Sequence, residues 1–188
     1  MKCIDSRGHP PSVDAMFAVT ESTFSTLDLA SLLLRVGFGL SMVVHGYNKV
    51  FGQGGLAGTA GWFGSIGMKY PTWQARAAAG TEIFGGLALA LGFLTPLSSA
   101  AMVGLMIVAG YVAHWKSGYL ITKGGWEYNG AIIVAALATG TLGGGQASID
   151  NALGIFDTSG FSGFWIALGV GVVGGVGQLL MFYRPKKS

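Results

Sequence analysis

Charge is scarce in this chain. Only 10% of its 188 residues are Asp, Glu, Lys or Arg, against roughly 25% in soluble domains, which excludes an ordinary water-solvated surface. Cysteine is nearly absent. Cys3 alone can form neither an internal disulfide nor a CxxC pair, so the chain cannot run dithiol chemistry by itself and any redox role needs a bound cofactor or a partner. A basic face with interleaved aromatics is missing too: the formal charge is +3, and Lys and Arg sit in loops beside apolar runs, which argues against nucleic acid as a partner. The first 26 residues hold Lys2, Asp5, Arg7, Asp14 and Glu21 and lack the apolar core of about seven to fifteen residues that a signal peptide needs. They read as a loose polar tail in which Met16 offers an alternative start, and Cys3 and His9 are expected to be silent.

What remains is apolar and rich in glycine. Hydrophobic residues make up 51% of the chain and Gly accounts for 33 positions, the composition of an all-α membrane protein whose helices approach closely and whose first partners are lipids. The leading apolar run, Leu29 to Phe51, carries Arg35, His45 and Lys49. At 100° per residue, Arg35, Gly39, Met42, His45, Gly46 and Lys49 fall on one stripe, which should face protein. Ionisable groups in lipid cost at least about 2.5 kcal/mol each, so such a stripe marks either a functional cluster or, in the plainer reading, a snorkelling Lys49 and a packing His45.

The segment 52–73 intersperses Trp62, Phe63, Tyr70 and Trp73 with glycine and reads as interfacial, with Pro71 expected to stop any short helix there. The second span, Ala75 to Leu94, places Glu82 beside Gly85, Gly86 and Ala90, so the acid faces a close helix neighbour. Thr95-Pro96 breaks the chain before a third span, Leu97 to Trp115, whose end carries Tyr111 and His114. A fourth span, Trp126 to Leu142, opens with Glu127, Tyr128 and Asn129, and a polar linker follows. The fifth, Phe161 to Tyr183, repeats Gly163, Ala167, Gly171 and Gly175, a small-residue ridge for close packing against a helix of this chain or of a partner. Its Gly169-x-Gly171-x-x-Gly174 lacks a preceding strand and is rejected as a dinucleotide motif.

Five spans put the termini on opposite sides. Lys49, Lys69, Arg76, Lys116, Lys123, Arg184, Lys186 and Lys187 share one side, and Asp28, Asp150 and Asp157 lie on the other, so the N-terminus is expected outside and the C-terminus in the cytoplasm of a multi-pass cell-membrane protein. At about 1.5 Å per residue, His45, Glu82, His114 and Asn129 fall in one layer roughly 20 to 27 Å from the outer surface, with Lys49 and Glu127 at its edge and Arg35 only about 9 Å deep. Arg35 is expected to meet loop carbonyls, Asp28 or a head group. Three chemistries fit such a layer. Two histidines could ligate haem or a metal, but no third or fourth ligand is evident, so haem is disfavoured and no metal set is assigned. A His and Glu pair beside an apolar groove could bind a quinone carbonyl and pass its protons. Alternatively, the polar groups only clamp helices together.

Over Leu29 to Asp150 the chain resembles the DoxX family of small membrane proteins. The resemblance rests on Arg35 with His45-Gly46-x-x-Lys49, on Gly80-Thr-Glu82-x-x-Gly85-Gly86 leading to Gly92-Phe-Leu-Thr95-Pro96, and on His114, Gly118, Glu127-Tyr128-Asn129 and Ser148-Ile-Asp150. It implies a four-helix membrane core and a redox-linked subunit of a larger complex without fixing a reaction. Three parts are expected: a polar tail (1–28), the DoxX-like four-span domain (29–150), and a linker with a fifth span and a basic tail (151–188), the span being a departure from the family pattern.

Overall fold

The computed structural model describes residues 24–155 and 159–185. Cys3, His9 and the acids before Phe24 lie outside that range, as do Asp157, Lys186 and Lys187. Among the described residues every regular element is helical, apart from one isolated bridge between Met68 and Tyr183. The chain is an all-α membrane bundle. Among the described residues three helical stretches are long and apolar enough to cross a membrane: Thr26–Phe51, Thr95–Ser117 and Phe161–Phe182.

Helix α1 runs Thr26–Phe51, starting three residues earlier than its apolar run suggests. A capping box is the cause: the Asp28 backbone N–H donates to Ser25 Oγ, and the Asp28 carboxylate accepts from the Ser25 backbone N–H and hydroxyl. Asp28 is thus part of the first helical turn, not of a polar tail. The buried stripe of α1 is Ser31, Arg35, Gly39, Met42 and Gly46, with His45 exposed beside it.

A short helix, α2 (Gly55–Ser65), follows. Pro71, expected as a stop, instead opens α3 (Pro71–Gly80) at a position where its missing N–H costs nothing. A π-helical turn, Thr81–Gly85, then joins α3 to α4 (Gly86–Leu91). The second expected span, Ala75 to Leu94, is helical as far as Leu91, where Gly92 ends the helix, and Arg76 and Glu82 make it more polar than its neighbours. It crosses α1 where both lack side chains. A Cβ on Gly39 would lie 2.6 Å from the Gly86 carbonyl oxygen, and one on Gly86 would lie 2.7 Å from that of Gly39, so the crossing depends on glycine at both sites. Gly85 faces the other way, towards Met102.

Helix α5 (Thr95–Ala109) continues through a second π-helical turn, Gly110–His114. Helix α6 (Glu127–Leu142) has 16 residues, about 24 Å at 1.5 Å per residue, short for a membrane crossing. The expected linker holds a one-turn helix, α7 (Ile149–Leu153), and α8 (Phe161–Phe182) completes the bundle. The core centres on Met42, Leu89, Met102, Val103, Met106 and Ile132.

The small-residue ridge of α8 packs within this chain. Cβ atoms on Gly171 and Gly175 would approach Val103 at 2.7 Å and the Gly104 carbonyl at 2.8 Å, while Gly163 and Ala167 lie against Gly140 of α6. Hydrogen bonds sort the loops into two ends. At one end Gln146 donates its backbone N–H to Asp28, Ser31 donates to the Gly143 carbonyl, and Asp150 accepts from Leu94 and Thr95. At the other, Lys69 N–H donates to the Phe182 carbonyl and Arg184 N–H to that of Gly67.

Candidate functional site

Gly46 determines where the site can form. Its missing side chain lets the π-helical turn come so close that a Cβ there would sit 2.9 Å from Glu82 Cβ. One turn further along α1, Lys49 then reaches Glu82 and donates to both carboxylate oxygens, at 2.6 and 2.7 Å. Glu82 is buried, while the Lys49 side chain keeps 27% of its surface. π-Helical turns recur at functional sites because they break the regular side-chain register, and here one presents Glu82 while the other carries His114.

The ion pair lines a cavity of about 600 Å³ enclosed by α1, α2, α3, α5 and α8. Most of its wall is apolar, from Phe63 and Trp62 to Val108 and Val170. Besides the ion pair, four polar side chains interrupt it: Gln74, Thr81, Gln178 and His114. Gln178 donates to Gln74 at 2.8 Å, bridging α8 and α3. The His114 Nδ1 lies 2.8 Å from the Gly124 carbonyl; a carbonyl can only accept, so Nδ1 carries the proton and Nε2 of the neutral ring is an acceptor. A cavity of this size, apolar with a few convergent polar groups, suits a small organic ligand or the ring of an amphiphile.

The expected polar layer is not one network. His45 turns away from Glu82 and meets Tyr128 OH at 3.2 Å, which in turn contacts Ser41 Oγ at 2.9 Å. Asn129 is buried on the far side of α5 and donates weakly to Met106 Sδ at 3.5 Å. Glu127 accepts from the Ile121 backbone N–H and so closes the loop before α6. Arg35 lies at the opposite end, fully buried, and donates to the carbonyls of Ala90, at 2.8 Å, and Ala147. Among the described residues no group of three or more His, Cys, Asp or Glu could hold a metal ion.

Sequence reasoning passed over Gln74 and Gln178 on the cavity wall. Gln178 was detectable: apart from Ser162 it is the one polar side chain in the 22 residues of α8. The role of Asp150 was also hidden. Its carboxylate accepts from Leu94 N–H, Thr95 N–H and the Thr95 hydroxyl at 2.7 to 2.8 Å, capping α5 from 55 residues away.

Comparison with known proteins agrees with this architecture. The DoxX family model matches residues 30–115, which spans α1 to the end of the second π-helical turn and includes Arg35, Lys49, Glu82 and His114. The chain is also similar to a protein of Bacillus subtilis (strain 168) named "Putative oxidoreductase CatD", 26% identical over 125 residues that cover 66% of this chain and 87% of that protein. No solved structure matches. Over residues 30–115, then, this membrane protein is similar to the DoxX family.

Proposed function

We propose that the chain is a membrane subunit of a quinone-linked oxidoreductase complex, in which the Lys49–Glu82 end of the cavity holds a quinone head group or relays its protons. One observation carries this reading: a buried carboxylate and its ammonium partner form part of the wall of an apolar cavity large enough for a ring. The residues fit such a group. The Lys49 ammonium has a third N–H beyond the two held by Glu82 and can donate it to a carbonyl oxygen, and apolar walls suit a hydrophobic tail. A quinone, when bound, supplies two-electron, two-proton redox chemistry that the side chains cannot perform. Glu82 can accept and release a proton beside Lys49, and His114 offers Nε2 as a second acceptor. The name of the B. subtilis relative supports a redox setting. Electrons would come from a further bound cofactor or from a partner, since the single Cys3 gives the chain no dithiol of its own. In the membrane we orient the Lys49 end inward, with the N-terminus outside and the C-terminus cytoplasmic, because Lys69, Arg76, Lys116, Lys123 and Arg184 cluster near it.

The test is Glu82→Gln in the complex purified under mild detergent with its natural electron donor. The substitution keeps shape and most hydrogen bonding while removing the titratable charge. Quinone reduction per assembled complex should fall by at least about tenfold, as expected for loss of a general acid or base. Unchanged turnover would favour the second reading, a non-catalytic anchor, which the glycine crossings and the end clamp of Arg35 and Asp150 support.

A further inference from the structure

A second cavity, of about 640 Å³, lies between α5, α6 and α8. Its wall contains Tyr111, Trp115, Trp126 and Tyr183, with Trp115 and Trp126 stacked at 6.2 Å and Tyr111 edge-on to Tyr183 at 5.9 Å. Among the described residues no Asp, Glu, Lys or His lines it, and the one charged lining residue, Arg184, is exposed and directs Nη1 to the carbonyls of Leu180 and Tyr183. One buried polar side chain lies on the wall. Asn129 is 5% exposed, its amide nitrogen has only the Met106 sulfur as partner, and its carbonyl oxygen accepts no hydrogen bond among the described residues. A buried amide held by a thioether alone is under-satisfied, and a ligand oxygen or hydroxyl would relieve it.

We infer that this cavity is a separate binding site for a neutral, planar ring bearing one hydroxyl or carbonyl group, with Asn129 as its hydrogen-bonding anchor. Charge is excluded because nothing on the inner wall would compensate it. A ring is favoured over a flexible chain because aromatic faces and edges supply the wall, and rings stack on them with geometric preference. The single amide limits the ligand to one polar anchor point. Helix α8, beyond the DoxX-matching segment, supplies Val176, Leu179 and Leu180, and Tyr183 follows at its end, so the site exists only because of the added helix.

Flow dialysis of tritiated 2-naphthol against the full chain in mild detergent, with protein-free micelles subtracted, tests the proposal. Saturable binding near one equivalent is expected, and naphthalene, which lacks the oxygen, should bind roughly three- to tenfold more weakly, the factor a net hydrogen bond supplies. Asn129→Leu should bring the two ligands to equal affinity, and Glu82→Gln should leave both unchanged, which separates this site from the Lys49–Glu82 cavity. Non-saturable uptake, equal affinity of the two ligands for the unmodified chain, or displacement of 2-naphthol by phospholipid with no ring selectivity would overturn the assignment. The ligand comparison on the unmodified chain decides the matter even if Asn129→Leu fails to fold.

Discussion

Arg35 and Glu82 are both buried charges on facing helices, and the chain treats them in opposite ways. The Arg35 guanidinium donates at one end to the carbonyls of Ala90, near the end of α4, and Ala147, in the loop before α7, and close by the Asp150 carboxylate caps α5. Glu82 has one ionic partner, Lys49, and a cavity in front of it. The first arrangement spends its polar groups on holding loops and helix ends; the second leaves a titratable pair within reach of a ligand. Burial of charge therefore separates into structural and functional cases by what surrounds it: Arg35 gives both terminal nitrogens to backbone carbonyls, its buried Nε having no partner among the described residues, whereas Glu82 faces a cavity that a ligand can enter.

Breaking the structural end should produce the largest effect. Asp150→Ala removes the acceptor for two backbone N–H groups and one hydroxyl, two of the three donors being buried, so a loss of about 3 kcal/mol or more is expected. Thermal unfolding in mild detergent measures it, and quinone turnover per surviving complex should stay unchanged. If turnover fell in proportion while stability held, the division between the two ends would be wrong.

The glycine crossings come next. Gly86→Leu drives a side chain into the Gly39 backbone, and Gly171→Leu drives one into Val103 and the Ala100 carbonyl; each should cost about 1 to 3 kcal/mol. Val172→Leu, on the exposed side of α8, should change stability by no more than about 0.5 kcal/mol. Equal yields of assembled protein for all three would remove the close-packed ridge from the argument.

Much of this was legible in the sequence, and the part that was not has a physical cause. Of the expected stripe of α1, Arg35, Gly39, Met42 and Gly46 are buried as the 100° periodicity predicts, while His45 is exposed and Lys49 half-buried, and Glu82 beside Gly86 correctly marked a close helix neighbour. Rise per residue gives an expected depth, but depth fixes a level, not a direction. His45 is only one residue before Gly46, and that 100° step turns it from Glu82 to Tyr128; Asn129 ends up behind α5 for the same reason. Non-local capping was invisible in the residues alone, since nothing between Thr95 and Asp150 signals that they meet. Pro71 was misjudged because proline both ends and begins helices, and the choice depends on whether the following residues can continue one.

At the cavity, the contrast sharpens with Lys49→Met set beside Glu82→Gln. Removing the ammonium leaves the Glu82 carboxylate without its ionic partner, so Lys49→Met should destabilise by about 2 kcal/mol or more and abolish turnover. Glu82→Gln keeps an acceptor for Lys49 and should cost less, about 1 kcal/mol, with the same loss of turnover. A pair that served only as a clamp would show the stability ranking while turnover per assembled complex remained intact in Glu82→Gln.

The smallest effect should come from His45→Ala, and it bears directly on how far the functional region extends. His45 is exposed, its Nε2 contacts the Tyr128 hydroxyl at 3.2 Å, and that hydroxyl retains Ser41 at 2.9 Å when the imidazole is removed. No buried donor or acceptor is orphaned, so the stability cost should be no more than about 0.5 to 1 kcal/mol. His45 does not line the Lys49–Glu82 cavity, so turnover per assembled complex should stay within about twofold. The comparison with His114 makes the test discriminating: His114 lines that cavity and presents an acceptor nitrogen, so His114→Ala should reduce turnover well beyond the His45 variant at similar stability. If instead His45→Ala lost activity as severely as Glu82→Gln, the chemistry would extend from Glu82 across α1 to Tyr128, and the site would be a proton path through the helix pair, not a head-group cavity on one side of it.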